Sequence, residues 1–277
     1  MTKVISYKNP ELTTVKDNKA VWNLPKTRRY GYRNLHKINR YGLFLRSDLV
    51  LKLKKKYKDT IYNKLLVKKM TKHKSFCSLR VGNKQTLYFE KYAKDFTENQ
   101  PQTIMSITKM FVNLFVGELL NNKSINLDKK VSYYLPKIGS GYANAKVQDV
   151  LNMNVINAYT EDYTKAYSSS FLHEPVGGWR LPKNGDKHLS QEDYLNTIKS
   201  KKNRNLKNKS NLAFYKSANT DVVGLIVEKI SGKPLRHWML RAVEAAGFEE
   251  GIYIASDRYG MPWMSGGGCL ITRDFLR

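Results

Sequence analysis

The sequence predicts an α+β fold, an antiparallel sheet flanked by helices, and three stretches carry that expectation. "SFCSLRVGNKQTLYFEKY" (75–92) alternates its side chains on either side of Gly82-Asn83, the pattern of a β-hairpin. "SITKMFVNLFVGELLNN" (106–122) has Ile107, Met110, Phe111, Leu114, Phe115 and Leu119 spread over nearly every helical face, as in a buried helix. "NTDVVGLIVEKISG" (219–232) reads as a second helix that stops at Gly232. At 277 residues and 41% hydrophobic, the chain can bury a sizeable core as one domain or two interlocked ones.

The remaining elements follow in order. Residues 1–43 are polar and turn-rich ("NPELTT", "NLPKTRRYGYRN") and read as an extended arm. Ser47-Asp48 offers a cap for a helix to about residue 58, with Leu49, Leu53 and Tyr57 on one stripe. After the hairpin, a polar loop runs to Pro101. "SINLDKKVSYYLPKIGSGYANAKVQDVLNMN" (124–154) reads as short helices with turns at Pro136 and Gly139-Ser140-Gly141. Residues 155–213 are mixed, and the lysine and asparagine run 199–211 is a solvated loop. "GKPLRHWMLRAVEAAGF" gives another helix, before Gly266-Gly267-Gly268 and a short basic tail.

Composition narrows the function classes. There is no run of about eighteen apolar residues, so no transmembrane helix is expected. The start, "MTKVISYKNPELTT", has no apolar core of a secretory signal. Two cysteines, Cys77 and Cys269, do not make a disulfide framework, and a reduced, cytoplasmic protein is expected. The five histidines have no H-x-x-x-H or C-x-x-C spacing around them, so neither a metal nor another cofactor is expected. The net charge of +26 is uneven: residues 1–74 hold 21 of the 49 basic side chains but only 4 of the 23 acidic ones. Such a segment could attract nucleic acid or an anionic membrane. Yet the run "KLKKKYK" (52–58) favours lysine over arginine, and no nucleic-acid motif accompanies it. The reading preferred is the lysine- and asparagine-rich bias of an AT-rich genome, with no specific nucleic-acid or membrane partner.

Ser106 is the only serine followed three positions later by a lysine, Lys109. Residues so spaced are neighbours on a helix, so Lys109 can reach the Ser106 hydroxyl and act as its base. A helix N-terminus would add partial positive charge and free N–H groups where an oxyanion forms. The same residues also fit a capped helix with a surface lysine. What favours chemistry is the position of Lys109 among Ile107, Met110 and Phe111, an awkward place for a solvated side chain. Farther on, "FYKSANTDVVGLIVEKISGKPL" places Tyr215 and Ser217 just ahead of a helix.

In this order, "SITKMF", "GELLNNKSINLDKKVSYYLPKIGSGY", "VQDVLNMN", "EDY", "GGWR", "YKSANTDVVGLIVEKISGKPL" and "MSGGGCLITRDFLR" resemble the serine β-lactamase-like hydrolases. That family includes class C β-lactamases, D-alanyl-D-alanine carboxypeptidases, esterases and the nylon-oligomer (aminohexanoate-dimer) hydrolases. The resemblance implies a basic N-terminal extension with one helix over 1–72 and a β-lactamase-like catalytic region over 73–277. An inserted, mostly helical subdomain would span about 124–213. It further implies Ser106 as acylated nucleophile, Lys109 as base and Tyr215 as proton shuttle, acting on a small amide or ester. Tyr163 of "EDY" would contact the substrate, and Ser217 stands where the family's Y-x-N motif has Asn. That change, with "EDY" and "GGWR", looks more like the nylon-oligomer hydrolases than the β-lactamases or carboxypeptidases. No K-[ST]-G follows Tyr215. The family's third motif and its last sheet strands are therefore expected to be missing, as in a C-terminally truncated member. An inactive homologue or a basic nucleic-acid binder is the competing reading.

Overall fold

The computed structural model describes residues 24–83, 85–165, 167–181, 189–201 and 212–277. Its strands are β1 (Gly42–Leu45), β2 (Lys54–Lys55), β3 (Ser78–Asn83), β4 (Thr86–Tyr92), β5 (Gln102–Thr103), β6 (Ile252–Ala255) and β7 (Gly268–Leu270). The main sheet has the order β1-β6-β7-β5, antiparallel throughout. Every residue of β6, "IYIA", is buried, as a central strand covered on both faces requires.

The helices Lys109–Asn121, Ser217–Ser231 and Leu235–Ala246 share one core with Ile252, Ile254 and Leu270 of this sheet. Val112, Phe115, Val116 and Leu119 meet Val222, Val223, Ile226 and Val227 in one core, with Phe115 and Trp238 rings 5.6 Å apart. The helix over 219–232 forms as Ser217–Ser231, and Gly232 ends it at φ +62°, a conformation glycine adopts without strain. The described part of 124–213 holds five short helices and no strand of either sheet. Most of the 199–211 run lies outside the described residues.

The hairpin forms as β3 and β4, but it sits in a separate sheet, β2-β4-β3, whose β2 runs parallel to β4. The helix expected over 47–58 does not form. Backbone N–H groups there bond to distant carbonyls: Leu51 to Gly247, Lys54 to Gln85, Lys56 to Leu87 and Lys58 to Tyr88. Helices occur instead at Arg28–Arg33, Leu35–Ile38, Asp59–Tyr62 and Leu65–Lys72, so the described part of 1–72 has four helices rather than one. Nor is the described part of 1–43 an extended arm, because it holds two of these helices and buries Leu35 and Ile38 in one cluster with Tyr253 and Ala255.

Two further expectations change. The Lys109–Asn121 helix is not buried all round: Met110 is 60% and Leu114 63% exposed. The end of the chain is not a loose basic tail. Thr272–Leu276 is helical, and Arg273 and Arg277 pair with Glu249, Glu98 and Asp274. Cys77 and Cys269 are both free thiols.

Candidate active site

Ser106 lies in a tight turn, Met105–Thr108, that runs into the Lys109–Asn121 helix. The chain enters it through Met105 at φ 47°, a left-handed conformation that costs a non-glycine residue free energy. One bond closes the turn and two pin it to β7. Thr108 Oγ1 donates to Met105 C=O at 2.6 Å, Gly268 N–H donates to Thr108 Oγ1 at 3.0 Å, and Ile104 N–H donates to Gly268 C=O at 2.9 Å. The glycine run thus brings the loop before β7 against the serine.

The structure brings Ser106, Lys109 and Tyr215 together. Ser106 Oγ is 3.0 Å from Lys109 Nζ and 2.6 Å from Tyr215 Oη. Lys109 Nζ also donates to Ser265 C=O, and lies 3.4 Å from Ser217 Oγ and 5.0 Å from the Tyr215 ring centre. Ser106 and Tyr215 are exposed, while Lys109 is partly buried beneath them.

Sequence reasoning missed Glu161. Its Oε2 accepts the Ser217 N–H at 2.9 Å, and its Oε1 accepts the Ser217 hydroxyl at 2.6 Å and the Tyr163 hydroxyl. A carboxylate here meets two needs at once: an orphan N–H in the first turn of the Ser217–Ser231 helix, and that helix's partial positive charge. The signal was its place in "EDY", where only the tyrosine was singled out. Tyr163 reaches the site, 3.4 Å from Ser217 Oγ. Ser217 lines the cavity, but its hydroxyl hydrogen goes to Glu161, which leaves it an acceptor for Lys109. Lys216, between Tyr215 and Ser217, is buried; its Nζ donates to Tyr159 C=O at 2.7 Å, and burial lowers its pKa.

A cavity of about 300 Å³ opens from Ser106, walled by Tyr32, Met105, Tyr163, Trp179 and Trp263, with Glu174 on its lining. Trp179, from "GGWR", meets Trp263 edge to face at 5.1 Å. Gly177 lets these rings close, because a Cβ there would sit 2.4 Å from the Trp263 ring. Arg180 of the same motif is buried in an ion pair with Glu174 and stacks on Phe171 at 3.7 Å. Among the described residues, no group of three or more His, Cys, Asp or Glu side chains could hold a metal ion.

Known proteins resemble this chain in sequence and in fold. A family model described as beta-lactamase matches residues 77–250. A curated 6-aminohexanoate-dimer hydrolase from Paenarthrobacter ureafaciens is 29% identical over 197 residues, covering 68% of this chain and 47% of its own length. The chain thus spans about half the length of that relative. A Bacillus anthracis structure assigned as a 6-aminohexanoate-dimer hydrolase superposes with a TM-score of 0.76 at 17% identity, covering 95% of this chain and 71% of its own. A penicillin binding protein from Bacillus halodurans gives a TM-score of 0.51 at 14% identity, covering 76% of this chain and 71% of its own. At these identities the two structures speak for the fold.

Proposed function

The chain belongs to the beta-lactamase family, and on that premise we propose that it hydrolyses a small amide or carboxylester through a covalent acyl-enzyme. Ser106 is the nucleophile, Lys109 its base and Tyr215 the proton shuttle. The observation that carries this reading is the pair of distances at Ser106 Oγ: 3.0 Å to an amine and 2.6 Å to a phenol.

The geometry suggests how the amine is aimed. As a free base, Lys109 has two N–H bonds and one lone pair. Ser265 C=O and Ser217 Oγ take the N–H bonds, and the lone pair is left for the Ser106 hydroxyl. Lys109 takes that proton as Ser106 Oγ attacks the substrate carbonyl. The oxyanion forms beside the first N–H groups of the turn and helix, where partial positive charge stabilises it. Collapse of the intermediate needs a proton on the leaving nitrogen or oxygen. Tyr215 Oη, next to both Ser106 and the Lys109 ammonium, delivers its proton and recovers one from Lys109. Water then hydrolyses the ester on Ser106 by the reverse sequence of proton transfers.

The aromatic walls of the cavity suit an apolar acyl or amine chain, as in the linear amide that the Paenarthrobacter relative is named for. Ser217, committed to Glu161, has no hydrogen left for a substrate carbonyl, which argues against a β-lactamase or carboxypeptidase. A small-molecule substrate in the cytoplasm is part of the same proposal; no helix among the described residues is long and apolar enough to cross a membrane.

The test is turnover of p-nitrophenyl esters and linear aminohexanoate oligomers against nitrocefin, with mass spectrometry of the trapped acyl-enzyme. Acylation at Ser106 with ester or amide turnover supports the proposal. Preferential nitrocefin turnover would move the substrate to β-lactams, and no acylation by any of the three would overturn the catalytic reading.

A further inference from the structure

One buried carboxyl near this site has no part in the steps above. Asp221 lies one turn beyond Ser217 on the Ser217–Ser231 helix and is fully buried. Its Oδ1 accepts the Ser265 N–H at 3.0 Å. The carbonyl of the same Ser265 accepts the Lys109 N–H. Both backbone groups of one residue are thus held, one by Asp221 and one by the amine. Asp221 Oδ2 and Ser265 Oγ are buried without a hydrogen-bond partner, an arrangement that stability alone disfavours.

We propose that Asp221 is a positioning residue of the active site, fixing Ser265 so that its carbonyl aims the Lys109 amine at Ser106. The proposal rests on the Ser106–Lys109–Tyr215 reading and deepens it. Without the Asp221 bond, Ser265 sits at the head of three consecutive glycines, Gly266 to Gly268, which do little to restrict its backbone. The carbonyl would then sample directions in which it no longer takes a Lys109 hydrogen, and the lone pair would turn away from Ser106.

Electrostatics agree with a functional place for this carboxyl. Burial pushes its pKa up to about 7, partly opposed by Ser265 and the charge of Lys109. The titratable groups facing it are Lys109 from the nucleophile helix, Glu161 from the "EDY" segment and Tyr142 from the helix Ser140–Ala143.

The test uses the full chain and the rate at which a fluorophosphonate probe labels Ser106, followed against pH, with melting temperatures recorded alongside. Asp221→Asn keeps an oxygen for Ser265 N–H and removes the charge. Its plateau rate should stay within about threefold of wild type, because the bond is kept. Asp221→Ala loses the bond as well, and its plateau should fall about 10- to 100-fold, as for other orienting partners. Wild-type rates in both variants would overturn the proposal. So would an Asn variant as slow as the Ala variant, since the kept oxygen would then not have preserved the aim of the amine. An unlabelled wild-type chain would instead overturn the catalytic reading itself.

Discussion

The hydroxyls of Ser106 and Tyr215 stand 2.6 Å apart although 109 positions separate them, and Tyr215 arrives from just before the Ser217–Ser231 helix. Neither side chain fills the core, so removing either should leave the fold intact. Ser106→Ala should abolish covalent labelling. Tyr215→Phe should keep Ser106 acylation measurable but slow amide turnover by about 10²- to 10⁴-fold, the range for a lost proton-transfer group. Melting temperatures of both variants should match wild type. A Tyr215→Phe enzyme with unaltered turnover would remove Tyr215 from the mechanism.

Gly268 holds the turn that presents Ser106. A Cβ there would sit 2.8 Å from Thr108 Oγ1 and 3.2 Å from the Ile104 side chain, the two residues through which β7 grips the turn. Gly268→Ala should therefore cost about 1–3 kcal/mol in chemical denaturation, the usual range for overpacking. It should also slow Ser106 labelling, because the strain falls on Met105–Thr108. Full stability and full labelling in this variant would show that the turn does not depend on the close approach.

Periodicity could reveal the helices over 106–122 and 219–232 because each meets the core along a repeating stripe. It failed at 47–58, where the backbone bonds of Leu51, Lys54, Lys56 and Lys58 go to distant segments that no local window contains. That Ser106, Lys109 and Tyr215 come together was legible because spacing and order mark them. Glu161 and Asp221 were not, since a carboxylate shows its role only through what it meets. The buried His173 was equally invisible. Its ring stacks on Tyr194 at 4.4 Å, a contact between separate helices.

The exposed stripe along the turn and the Lys109–Asn121 helix was missed because an apolar residue does not announce whether something covers it. Ile107, Met110 and Leu114 face outward, while Phe115 and Leu119 are buried. Met110→Gln and Leu114→Gln should each change stability by no more than about 0.5 kcal/mol. Leu119→Ala should cost about 2–5 kcal/mol and Phe115→Ala about 3–5 kcal/mol. Urea denaturation of the four variants measures this. A large loss in Met110→Gln or Leu114→Gln would mean that their face is covered in solution.

His173 gives the fold an acid limit. It is fully buried, its Nε2 has no hydrogen-bond partner, and burial, aided by the charge of Lys109, lowers its pKa to about 3 from 6.5. The unfolded chain therefore binds a proton at this residue between about 6.5 and 3 that the folded chain refuses. Stability from the neutral ring is fully present above 6.5 and is lost as pH falls through that window towards 3. Asp221 works in the opposite sense: its raised pKa adds stability at low pH that is lost as pH rises from 3.8 through about 7. His173→Phe keeps a ring to stack on Tyr194 and removes the titration. Its melting temperature should fall less steeply than that of wild type between about pH 6.5 and pH 4. Parallel acid limbs for the two proteins would assign the loss to other groups.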